Sequence, residues 1–316
     1  MKNKIETLLI YSILFSCFAC GGDHVKHAPY TDTPTSGEIL IIADESYEPM
    51  IQVQIDTFQE IYKYSKINVR YLPEVELFNQ LMNNDTVRIA ITARKLNVSE
   101  QKDFEKQKLI PRSLKIAEDA VALIVNNQNP DTIITTDQLQ GMLRRKISTW
   151  KQISGDGLKD SILLVFDKSG SANARYLKEL FLKNDSFPVN SYATKSSASV
   201  VEYVSKTKNA IGIIGVNWIS DSDDSTTTAF LKKIRVVSLS EIDSTGLQKE
   251  PYKPYQAYIA LKKYPLTRDV MIINREGRNG LGTGFASFVA GDKGQRMIRL
   301  MGLLPATMPV RIIRVN

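Results

Sequence analysis

From residue 38 almost to the end of the chain, short apolar runs with a strand's period alternate with stretches whose apolar residues recur every three or four positions. That alternation predicts an α/β protein with helix-covered sheets. EILIIA (38–43) reads as a first strand, followed by a loop of Asp44, Glu45, Ser46 and Tyr47 and a helix over 48–62. Residues 67–71 read as a second strand, and 73–83 as a helix with Pro73 in its first turn. VRIAIT (87–92) is a third strand that runs into Ala93, Arg94 and Lys95. DAVALIV (119–125) is almost wholly apolar, as a strand buried on both faces would be. The spacing then predicts capped helices at 136–143 and 197–206, and a buried strand at 210–216 whose glycines permit close backbone approach. Residues 256–261 read as a crossing strand, 284–300 as one long C-terminal helix, and the polar stretch 220–228 as an exposed loop.

The N-terminus has a different pattern. Lys2 and Lys4 precede an apolar stretch (7–15) broken only by Thr7 and Ser12. A bilayer span takes about 20 apolar residues, so this stretch is too short to span and fits a secretory signal. It ends LFSCFACGG. Cys17, with Leu14 three residues before it and Ser16 just before it, fits a lipoprotein processing site whose thiol is acylated; Cys20, after Ala19 and before two glycines, is the alternative. We therefore expect a lipoprotein signal segment at 1–20, a flexible tether at 21–37, and an exported domain anchored by lipid in the periplasm of a Gram-negative bacterium.

Composition removes whole classes of chemistry. The only two cysteines are Cys17 and Cys20, and the only two histidines, His24 and His27, lie in the tether. The body thus has no cysteine nucleophile, no Ser-His-Asp triad, no thiolate zinc site and no disulfide, and the inventory favours binding over catalysis, with no cofactor. Net charge is +7, but basic residues are interspersed with acidic ones, without the clusters of a nucleic-acid binder. About 280 residues follow the tether, typical of two lobes.

Ligands of such sheets bind at the carboxyl ends of strands. Three loops stand there: the one at Asp44–Tyr47, the one at Arg94, and Lys168, Ser169, Gly170 and Ser171 after the strand at 162–166. The last has N-cap hydroxyls, a glycine and a helix start, a combination that suits an oxyanion and equally suits an ordinary helix cap. Arg175 or Lys168 could add charge.

The order of segments resembles the periplasmic phosphate-binding protein of the phosphate ABC transporter, in its Bacteroidetes lipoprotein branch. The likeness extends over nearly all of 37–305. It is most specific in IAEDAVALIVNNQNPDTIITTDQLQGMLRRKISTWKQI, SGSANARYL, NAIGIIG and GFASFVAGDKGQRMIRLMGLLPA. The resemblance implies a two-lobed periplasmic-binding-protein fold of type II-like form, each lobe a mixed sheet flanked by helices, joined by hinge strands. Lobe I would comprise 38–118 and 253–316, and lobe II 119–252.

It implies a monomer that captures inorganic phosphate between the lobes and delivers it to an inner-membrane ABC permease, without catalysis. Capture of another oxyanion, sensing without transport, and an envelope lipoprotein that keeps only the fold are the alternatives. Carried over, Ser46, the N–H of Tyr47, Ser169, Gly170 and Ser171 become the ligand donors. Two departures stand out. The arginine expected four residues before Ser169 is Val165, so Arg94, or else Arg175, is expected to supply the charge. The family's aspartate that accepts the proton of hydrogen phosphate has no counterpart beside the third strand, and Asp44 or Glu45 is left as its substitute.

Overall fold

The computed structural model describes residues 32–155, 159–220 and 225–308; the signal segment with Cys17 and Cys20, and the tether as far as residue 31, lie outside them. Along the chain, β1 (Gly37–Asp44) ends in a single 3₁₀ turn, Glu45–Tyr47, and continues as α1 (Glu48–Ile61), β2 (Ser65–Leu72), α2 (Glu74–Asn83), β3 (Val87–Thr92) and α3 (Val98–Lys106). The long β4 (Arg112–Asn126) leads into β5 (Ile133–Thr135), α4 (Thr136–Leu143), α5 (Lys151–Ser154), β6 (Leu163–Phe166) and α6 (Ala172–Leu177). Next come β7 (Ser191–Ala193), α7 (Ser197–Lys206), β8 (Ala210–Gly215), α8 (Ser225–Leu231), β9 (Ile234–Val236) and β10 (Ser238–Ser240). The chain closes with α9 (Gln256–Ala260), β11 (Thr267–Asn274), α10 (Leu281–Ala290), α11 (Asp292–Leu300) and β12 (Leu304–Pro305).

The main sheet runs β2-β1-β3-β11-β4-β8-β6-β7, with β9 and β12 also on β4. Strands β1, β2 and β3 are mutually parallel, as are β6, β7 and β8, while β11 and β4 run antiparallel through the middle. Crossovers through helices connect the parallel strands of each block, whose carboxyl ends therefore lie along one edge.

The core parts at these two middle strands. Ile41, Phe58, Ile89, Ile116, Ala117, Val270, Ile272 and Phe285 belong to one cluster, joined by a smaller one around Phe78 and Phe104. Ala120 to Val125, Trp150, Leu164, Ile213, Tyr264 and Leu266 belong to another. The indole of Trp150 is fully buried there and donates to the Asn209 carbonyl at 2.9 Å. At roughly 25 cal/mol per Å2 of apolar surface, burial on this scale dominates the stability of both halves.

Four segments differ from the expectation. Residues 256–261 form a helix rather than a crossing strand: the Ile259 N–H bonds the Tyr255 carbonyl at 3.0 Å, and only one face is buried. The strand that crosses beside β4 is β11, whose sequence TRDVMIIN buries residues on both faces. The long C-terminal helix is broken at Gly291, which is extended (φ −79°, ψ 174°), and a Cβ on Gly294 would lie 2.4 Å from the Val289 carbonyl oxygen, so glycine permits the tight approach of the two helices. Within 220–228, Ser225 onward is helical. The end of the expected tether, 32–36, packs on the body: Asp32 pairs with Arg278 and accepts from the Leu281 N–H at 2.8 Å, capping α10.

Candidate functional site

The loops after β1, β6 and β8 meet around Ser46. Asp44, whose Oδ1 accepts from the Ser46 N–H at 2.8 Å, fixes the 3₁₀ turn and leaves Ser46 and Tyr47 fully buried. The Ser46 carbonyl accepts from Asn217 Nδ2 at 2.6 Å and from the Trp218 indole at 3.0 Å. The Ser46 hydroxyl accepts from Asn173 Nδ2 at 3.3 Å, and the same amide nitrogen reaches Asp167 Oδ2 at 2.6 Å. Residues from both core regions thus converge on one serine.

Ser171 is fully buried and caps α6, its hydroxyl accepting from the Ala174 N–H at 3.3 Å. The helix winds on as a π turn at Lys178–Leu182. Gly170 has φ +75°, a backbone setting that suits glycine, and an added Cβ would lie 3.1 Å from the Val75 side chain. Its carbonyl accepts from the Val75 N–H at 3.2 Å, so the loop docks on the start of α2. Ser169 is exposed beside it, outside the buried cluster.

Both arginines expected to supply charge are engaged elsewhere. Arg94 forms a fork with Glu100 (2.7 and 2.8 Å), donates to the Lys95 carbonyl, approaches Glu74 at 3.5 Å, and lies over the Phe78 ring. Arg175 donates to both oxygens of Glu74 and to Glu179 at 2.5 Å. Glu74, at the first position of α2, is buried between them.

A third arginine, from β11, lies inside the cluster. Arg268 is buried, and its Nε and Nη2 donate to Asp119 Oδ2 of β4 at 3.0 and 2.9 Å. Its Nη1 has no hydrogen-bond partner. The guanidinium carbon lies 5.4 Å from the Tyr47 ring centre, which ties β11 to the Ser46 turn. An unpartnered guanidinium N–H in a dry interior is costly, so a ligand oxygen there would gain more than in water. Asp44 Oδ2, Thr92 Oγ1, Asp167 Oδ1, Asn173 Oδ1 and Asn217 Oδ1 are buried and unpartnered as well. Thr92 ends β3, next to β1 in the sheet, so these atoms share the carboxyl edge.

Burial raises the acids of this cluster. The Asp44 carboxyl is pushed up to about 7 by burial, against the pull of Arg268 and with a further push from Glu74. Asp167 rises to about 6 through burial, partly offset by the Ser171 hydroxyl and augmented by Glu45. Burial also raises Glu45, opposed by its ion pair with Lys168 at 2.8 Å. Arg268 was missed in the sequence because its strand was not assigned. The available signal was an arginine within a strand-like TRDVMIIN run. Among the described residues no cluster of His, Cys, Asp and Glu could hold a metal, and no helix is long and apolar enough to cross a membrane.

Loops from the two sheet blocks bring hydroxyls, amides and one spare guanidinium N–H together in one buried polar cluster. A PBP superfamily domain matches residues 28–293, and the chain belongs to that superfamily of binding proteins. Among individual proteins, it is similar to the phosphate-binding protein PstS of Borreliella burgdorferi, 25% identical over 274 residues (84% of this chain and 89% of that protein). It is also similar to PstS of Staphylococcus epidermidis, 24% identical over 296 residues, 92% and 84% of the two chains. In fold it matches a phosphate ABC transporter substrate-binding protein with bound phosphate from Clostridium perfringens. That match has TM-score 0.70 at 20% identity and covers 86% of this chain and all of that one. The two-lobed α/β architecture is shared with these neighbours.

Proposed function

We propose that the chain is the extracytoplasmic capture component of a phosphate ABC transporter. The observation that carries this reading is the buried Arg268, with Nη1 unpartnered amid unpartnered polar atoms from both sheet blocks. The Ser46 hydroxyl, the Tyr47 N–H, Thr92 and Ser171 surround the anion, and Arg268 supplies the positive charge that Val165 does not. Arg94 and Arg175 hold Glu74 and stay off the ligand. The relatives named above, phosphate-binding proteins by description, support the choice of ion.

The lobes divide near the middle of β4 and return at β11, with 253–266 packing on the lobe II core, as Ile259, Tyr264 and Leu266 do. The mechanism is cleft closure: donors from each lobe meet on the anion only when closed, so the anion shifts the population to the form that a permease recognises. No chemical step is involved. Acylation at Cys17, or at Cys20, would hold the domain at the membrane of a Gram-negative periplasm, as a monomer.

Thermal unfolding of the purified protein with phosphate, sulfate, arsenate and molybdate in turn tests the reading. Phosphate at a hundredfold excess over its Kd should stabilise by about 2.7 kcal/mol. A midpoint moved by none of the four anions refutes it; a larger shift with another oxyanion reassigns the ligand.

A further inference from the structure

The far end of the first sheet block, where β3 begins and β11 ends, holds two arginines that the Ser46 cluster does not use. β11 and β3 are antiparallel with Asn274 opposite Ile89, and the Arg275 N–H donates to the Arg88 carbonyl at 3.0 Å. That register sets Arg88 and Arg275 side by side across the ladder, on the face shared with Ala90 and Ile273. Thr92 of the cluster is four residues along β3 from Arg88, about 13 Å, and Arg268 is seven residues along β11 from Arg275, about 23 Å. The two places are separate.

Like charges directly opposite each other across a ladder are destabilising, and here the local compensation is small. The Arg275 side chain is 5% exposed, but its carboxylate partner, Asp85 at 3.2 Å, is 93% exposed, where water screens the pair. The other contacts of Arg275 are neutral. Its Nη1 donates to the Asn84 carbonyl at 2.6 Å, and its guanidinium carbon lies 5.4 Å from the Phe104 ring centre. Arg88 is half-buried and has no ion-pair partner among the described residues. The acids of α3 are turned to other groups: Asp103 pairs with Lys106, and Glu105 lines a different cavity beside Leu96 and Pro111.

Both arginines line one cavity of about 590 Å3, within the roughly 300–1,000 Å3 of small-molecule sites. Met82 and Leu109 give it an apolar wall, and Asn83 and Gln107 stand at the same cavity with their amides. We propose that this cavity is a second binding site, for a small organic anion whose carboxylate or phosphate group is held between Arg88 and Arg275. Its apolar body lies against Met82 and Leu109. The planar guanidinium forks match either head group, and the apolar wall favours an organic body over a bare inorganic ion. The bound anion supplies the countercharge that the fold withholds, so a pair that costs stability when empty becomes complementary when occupied.

The experiment is isothermal titration calorimetry of the purified protein in excess inorganic phosphate, with phenyl phosphate and, separately, benzoate as probes. The excess phosphate keeps the Ser46 cluster out of the measurement, so the result does not depend on capture there. At least one probe should bind at one site, and the tighter of the two names the head group. In Arg88→Gln that affinity should fall about tenfold or more, the loss of one charge-assisted contact. The same variant should keep its stabilisation by inorganic phosphate, and its Tm without probe should equal or exceed that of the unaltered protein, because a repulsion has been removed. Heat from neither probe, or an affinity unchanged in Arg88→Gln, overturns the proposal. A clearly lower Tm for Arg88→Gln also overturns it, by showing that Arg88 serves the fold.

Discussion

Replacing Arg268 separates the roles of charge and scaffold. The guanidinium is buried and bonded twice to Asp119 Oδ2, while only Nη1 is spare. Arg268→Met alone strands Asp119 in the interior, and breaking a buried pair from one side costs about 3–5 kcal/mol. Burial already raises Asp119 against the pull of Arg268, so the lone substitution raises it further and makes the loss larger as pH rises. The double variant Arg268→Met with Asp119→Leu removes both charges and should recover most of that loss, since well-packed apolar replacements of buried pairs are often neutral. Differential scanning calorimetry then reads the two effects apart. The unaltered protein should gain about 2.7 kcal/mol from phosphate at a hundredfold excess over Kd. For a chain of this size that is roughly 4–5 °C in Tm. The double variant should fold and show almost none of that gain. A folded double variant that keeps the full phosphate shift would refute Arg268 as the charge in the cleft.

Arg94→Ala should keep the phosphate response while losing about 1–2 kcal/mol of stability, because its fork holds Glu100 and stacks on Phe78; abolition of the response would return Arg94 to the cleft. Asp44→Asn should stabilise the unliganded protein by roughly 2–4 kcal/mol at neutral to alkaline pH. The native carboxyl is raised to about 7 from 3.8, so as pH climbs through that window the unfolded state releases a proton that the folded state retains and stability falls. Urea midpoints at pH 5 and pH 8 that change equally in both proteins would contradict this. Gly170→Ala should cost about 1–2 kcal/mol from its positive φ, with added crowding against Val75; an unchanged midpoint would show the loop free to move. Arg175→Ala should widen the cleft in solution scattering without ligand, since Arg175 ties α6 to Glu74 of α2.

Where hydrophobic period and local chemistry agree, the sequence alone determined the element. VRIAIT became β3 and Thr136–Leu143 a helix behind its Thr135 capping box, because such signals are complete within a few residues. The loops around Ser46 and Ser171 were legible for the same reason: strand ends, caps and a glycine are local facts. The tertiary structure alone decided which charged groups enter the buried cluster around Ser46. Arg94 and Arg175 follow promising loops in sequence, yet Glu74 and Glu100, brought up by neighbouring helices, claim them. Arg268 lies 149 residues from Asp119, and only the pairing of β11 with β4 buries the two together and leaves one N–H over. Hydrophobic pattern is set by near neighbours along the chain; the partner of a buried charge is set by whatever the fold places within a few ångströms.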